Sequence, residues 1–120
     1  MILKNVLLVG FGGMAGSIAR YLIGLSINNT NFPYSTLVVN IIGSLVIGAI
    51  VGIAIKSVGF DDWKLFLATG ICGGFTTFSS FSLECFQLLQ QSRNIAALIY
   101  ICISIVFGIL ATVAGFLLTK

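Results

Sequence analysis

Four long apolar runs separated by short polar stretches dominate this chain, and they fix its solvent before anything else is considered. The runs cover about residues 3–27, 35–55, 65–89 and 95–118, each long enough as an α-helix to cross a hydrocarbon slab of roughly 30 Å. Only 8% of the residues are charged, against roughly 25% in soluble domains, so no polar shell can be built around this much apolar surface. Lipid is therefore the solvent, and in lipid a segment must satisfy its backbone polar groups internally, which makes each run a helix. The expectation is an all-α integral membrane protein, with residues 1–120 forming one four-span membrane domain. The first run follows Met1-Ile2-Leu3-Lys4 directly, without a charged segment, short apolar region and cleavage site in succession, so it reads as a retained span.

The stretch Asn28-Asn29-Thr30-Asn31-Phe32-Pro33 reads as a loop. Asn28-Asn29-Thr30 also matches a glycosylation sequon, a pattern short enough to recur by chance. Residues from Lys56 to Lys64 make the most charged loop, with Asp61 and Asp62 near its far end and Trp63 expected at headgroup level. Gln90 to Asn94 turn the chain into the fourth run, and Lys120 ends it at the interface. Both termini then share one side with Lys4, Lys56, Lys64 and Lys120, opposed by Arg93 and Arg20. So weak a positive-inside bias suits insertion in both orientations, and equally suits a small protein with few charges.

Several function classes drop out. The basic residues form no stripe with interleaved aromatics, which argues against nucleic acid. The chain has no His, and Cys72, Cys85 and Cys102 lie in apolar runs without close pairing, so neither a side-chain metal site nor a disulfide framework is expected. An enzyme would need a clustered nucleophile, base or metal, and none is present.

The informative residues are the polar and small ones inside the spans. Gly12, Gly16, Arg20 and Gly24 share one face of span 1, a small-residue face suited to close helix packing. Arg20 either snorkels toward the loop or stands in an aqueous vestibule, where its charge concentrates anions. Span 2 carries Asn40, Gly43, Ser44, Gly48 and Gly52. Asn40 can hold helices together or donate its amide N–H groups to an anion. Span 3 contains Gly73-Gly74-Phe75-Thr76-Thr77-Phe78-Ser79-Ser80-Phe81, a string of poor helix formers that predicts a break near Gly73 to Thr77. Such a break survives at membrane depth only where protein or water covers it, and its carbonyls can hold a small cation. Phe78 and Phe81 share a face and present electropositive ring edges. Tyr100, Ser104, Gly108 and Thr112 repeat every fourth residue of span 4, as a polar track or as helix glue.

A pore lined by neutral donors suits a small anion, because amides, hydroxyls and ring edges replace part of its water while still letting it leave. The strings Gly12 to Tyr21, Asn40-Ile41-Ile42-Gly43-Ser44 and Gly73 to Phe81 closely resemble the CrcB/Fluc family of fluoride channels, over essentially the whole chain. The resemblance implies an antiparallel, dual-topology homodimer in a bacterial inner membrane, with two pores lined by both chains and a structural Na⁺ at the dimer centre. It further implies that Gly73 and Thr76 offer backbone carbonyls to Na⁺, that Phe78 and Phe81 turn ring edges to fluoride, and that Asn40 hydrogen-bonds the ion. Thr36, Ser79 and Ser80 match polar positions near the pore, Tyr100 and Ser104 the polar track, and Arg20 the vestibule. Gly108 departs from the track, whose far end then falls to water or Thr112. The implied function is passive fluoride export that lowers fluoride toxicity. The rivals are a small four-span multidrug exporter, which would want a carboxylate in span 1 where this chain has Arg20, and a membrane interaction subunit that transports nothing.

Overall fold

A computed structural model describes residues 1–27 and 31–120, and the sequon Asn28-Asn29-Thr30 lies outside the described residues. Four helices among them are long and apolar enough to cross a membrane. The first is α1, Ile2–Ser26. The second is α2, Tyr34–Ala54, which starts directly after Pro33, a residue whose fixed φ suits a helix entry. The third, Asp61–Gln90, is composite. It opens with the short α3, Asp61–Lys64, passes through a π-helical stretch Leu65–Cys72 and the turn α4, Gly73–Phe75, and resumes as α5, Phe78–Gln90. The fourth is α6, Asn94–Thr119.

One boundary differs from the expectation by more than a residue. Asp61 to Lys64 belong to the helix rather than to the charged loop, and the loop ends at Phe60. Carboxylates in a first turn face the positive end of the helix dipole, so Asp61 and Asp62 start the helix instead of delaying it. Lys4 at the start of α1 pairs with Asp62 at 3.1 Å, an exposed ion pair. The turn into α6 is tight: Ser92 takes a positive φ of 60° while the Arg93 N–H bonds the Leu88 carbonyl at 2.9 Å.

Small residues let the helices that meet approach closely. α1 lies against the first half of span 3, with Gly12 and Gly16 buried in the contact. A Cβ at Gly12 would stand 2.6 Å from the Phe66 carbonyl oxygen, and one at Gly16 would strike that of Ile71. α2 and α6 pack in the same way: a Cβ at Gly48 would strike the Thr112 carbonyl, and one at Gly115 that of Leu45. The Thr119 hydroxyl crosses the same seam to the Ala49 carbonyl at 2.8 Å. The large apolar side chains point outward, including Phe11, Leu22, Phe86 and Leu118, as lipid-facing surface should. Inside, Leu88, Ala97 and Tyr100 form a buried cluster that joins α5 to α6 and is flanked by Phe32, Leu37 and Phe81.

Candidate functional site

Span 3 breaks at Thr76 and Thr77, whose backbones are extended at φ −81°, ψ 156° and φ −148°, ψ 123°. The break frees backbone groups that lipid could not satisfy, and side chains take up several of them. Asn40 does so from α2: its Oδ1 accepts from the Thr77 N–H at 2.8 Å and its Nδ2 donates to the Thr77 carbonyl at 3.0 Å. The Thr77 side chain then caps α5, accepting from the Ser80 N–H at 3.1 Å. On the other side of the break, the Gly74 carbonyl accepts from Arg20 Nε at 3.2 Å and from the Ser17 hydroxyl at 3.4 Å. Arg20 thus sets a positive charge at the carbonyl end of a half-helix, where the dipole favours it. The Gly73 carbonyl loses the donor an unbroken helix would give it, because the Thr77 N–H is committed to Asn40.

Beside the break lies a cavity of about 370 Å³. Asn40 and Ser44 line it from α2, Gly73, Thr76, Thr77, Phe78 and Phe81 from span 3, and Ser104 and Gly108 from α6. No side chain on its wall is charged. Phe78 and Phe81 stand with ring centroids 5.7 Å apart, tilted by 50°, and Phe78 is 78% exposed, so the wall opens sideways out of the chain. The Thr76 hydroxyl turns back to the Cys72 carbonyl at 2.9 Å. Ser104 Oγ is buried and has no hydrogen-bond partner among the described residues.

A second cavity of about 310 Å³ lies on the other side of Thr77, lined by Arg20, Thr36, Ser80 and Glu84 among others. Glu84 organises it: Oε2 accepts from the Thr36 hydroxyl and Oε1 from the Tyr100 hydroxyl, each at 2.9 Å. Tyr100 is fully buried, its ring 5.1 Å from that of Phe81 and 5.3 Å from that of Phe32.

The candidate residues therefore divide between two compartments. Asn40, Gly73, Thr76, Phe78, Phe81 and Ser104 meet at the first cavity, and Thr36, Ser80 and Arg20 at the second. Ser79 lines neither; it is exposed and its hydroxyl lies 3.3 Å from that of Thr77. Tyr100 does not reach either wall; it hydrogen-bonds Glu84 and packs its ring against Phe81. Thr112, at the far end of the track, gives its hydroxyl to the Gly108 carbonyl of its own helix at 3.2 Å. Glu84 is the residue that sequence reasoning left without a role. The signal was present, since a carboxylate inside a span must find partners, but those partners are distant in the chain.

Taken together, the site offers amide, hydroxyl and ring-edge donors in a neutral cavity, with a cation and a carboxylate held to one side. A family described as "CrcB-like protein, Camphor Resistance (CrcB)" matches residues 7–116. A protein named fluoride-specific ion channel FluC from Azobacteroides pseudotrichonymphae is 44% identical, over 98% of this chain and 98% of its own length. Proteins of the same name from Leptospira interrogans and Flavobacterium psychrophilum are 46% and 43% identical, each over 98% of this chain and over 95% and 98% of their own lengths.

Proposed function

The chain belongs to the CrcB family, and from that premise we propose that it is a fluoride-selective ion channel, a multi-pass membrane protein that lets fluoride leave the cytoplasm passively. The observation that carries the reading is the neutral wall beside the break. Asn40, Ser104 and the Phe78 and Phe81 ring edges can replace part of an anion's hydration without a buried fixed charge to trap it. A membrane potential negative inside drives the anion outward by roughly 2.3 kcal/mol per 100 mV, so transport needs neither pump nor nucleotide. Asn40 serves twice: one amide N–H and the carbonyl hold Thr77, and the second N–H remains for the ion. Arg20 concentrates anions at the vestibule, and Thr36, Ser79 and Ser80 supply hydroxyls along the approach. Tyr100 sets the Phe81 ring from behind.

The sideways opening of the first cavity supports assembly with a second copy, which would close the wall from the other side. The weak charge asymmetry of the loops leaves both orientations open, as an antiparallel pair in a bacterial inner membrane requires. Such a pair brings two broken helices together. The Gly73 carbonyl, deprived of its helical donor, and the Thr76 carbonyl suit a hard cation such as Na⁺, which binds oxygen. When bound, Na⁺ would supply positive charge at the centre of the dimer, where it would hold the two chains together.

The test is fluoride efflux from liposomes holding the purified protein, with a potassium gradient and valinomycin to balance charge and a parallel chloride control. Rapid fluoride release with little chloride release is expected. No release from correctly inserted protein would leave the polar stripes as helix packing alone.

A further inference from the structure

The spacing of hydroxyls along α6 poses a problem that α2 answers. Tyr100, Ser104, Gly108 and Thr112 fall one helical turn apart, and Gly108 has no side chain to offer. From Ser104 to Thr112 the helix rises roughly 12 Å, several times the reach of a hydrogen bond of about 3 Å. A partly dehydrated anion cannot cross that distance on α6 alone. Thr112 does not shorten it, because its hydroxyl is given to the Gly108 carbonyl.

Resting on the channel reading above, we infer that Ser44 of α2 supplies the ion with the hydroxyl that α6 lacks at Gly108. Ser44 lines the same cavity as Ser104 and Gly108, one turn along α2 from Asn40. It faces the gap directly: a Cβ built at Gly108 finds within 4 Å only the Ser44 Oγ, at 3.8 Å. Its hydroxyl is also uncommitted. Ser26 and Thr112 each turn back to a carbonyl four residues earlier in their own helix, and Ser57 and Thr76, just past helix ends, do the same. Ser44 makes no such bond among the described residues, and neither does the buried Ser104 Oγ. Two hydroxyls with spare donors, on facing helices of one neutral cavity, form consecutive steps after Asn40.

The geometry also provides the control. Because a Cβ at Gly108 meets only ordinary contact with Ser44, a serine fits there and can carry the hydroxyl on α6 instead. In the liposome efflux assay, Ser44→Ala is expected to slow fluoride release about tenfold, the loss of one hydrogen bond to a charged partner. The double variant Ser44→Ala with Gly108→Ser is expected to restore the wild-type rate. A packing role for Ser44 would not be rescued from the opposite helix. Wild-type release by Ser44→Ala, or a double variant as slow as the single one, overturns the assignment while the wild-type chain still conducts. Absence of release from the wild-type chain instead overturns the channel reading itself.

Discussion

Asn40 holds the break together with both ends of its amide, and that makes its removal expensive. Asn40→Ala leaves the Thr77 N–H without its partner, while the Thr77 carbonyl keeps the first hydrogen bond of α5, so the cost is about 1–3 kcal/mol for one group left unpaired. Unfolding in detergent should show a drop of that order, and an unchanged midpoint would mean that water replaces the amide. Phe81 presents the opposite case, where structure should survive and transport should not. Phe81→Ile keeps the bulk and removes the electropositive edge, along with a ring contact to Tyr100 worth about 0.5–1.5 kcal/mol. Fluoride flux is expected to fall while the assembled species elutes unchanged from a sizing column; unaltered flux in a well-folded variant would sink the ring-edge role. At this scale Asn40, Phe78 and Phe81 could be picked out because their neighbours are unusual for a membrane helix. Glu84 could not be assigned, because Thr36 and Tyr100 reach it from other helices and no local pattern announces a contact between separate spans.

At the scale of elements, span 3 shows what local chemistry writes into a sequence and what it does not. Paired glycines followed by two threonines are enough to foresee the break, and it falls at Thr76 and Thr77, within the expected stretch. The π-helical stretch Leu65–Cys72 leaves no such mark, since no residue pattern in it separates a wider winding from an ordinary membrane helix, and the winding accompanies close packing against α1. The glycine stripes were legible as packing faces, but which helix each would meet was not, because a small residue carries no label for its partner. The pairing of α2 with α6 makes a test. A Cβ at Gly115 would strike the Leu45 carbonyl and stand 2.8 Å from the Ala49 nitrogen, so Gly115→Val should cost about 1–3 kcal/mol or more by forcing the two helices apart. Gly10→Ala is the contrast, with nothing within 4 Å of the added carbon; it should be neutral or stabilising by up to about 1 kcal/mol. Unfolding midpoints measured side by side separate the two, and equal effects would contradict the packing described.

For the molecule as a whole, the weak charge asymmetry leads to a prediction about orientation. A chain with Cys72, Cys85 and Cys102 replaced and one thiol introduced at Lys120 should react with an impermeant reagent from both faces of the membrane, in roughly equal amounts if insertion is unbiased. Labelling from one face alone would exclude the antiparallel pair. The neutral cavity matters here as well, because its wall opens out of the chain beside an exposed Phe78. Hydroxyl and amide groups facing acyl chains are costly, which is the reason for proposing that a second copy covers this wall. If completion takes two identical chains, then at low abundance the number of finished pores grows with the square of the number of chains in the membrane. A cell that halved its synthesis would keep only about a quarter of its conductance, in the mass-action regime where assembly depends on concentration. Protection would then have a threshold set by gene dosage, below which even a faultless sequence gives little of it.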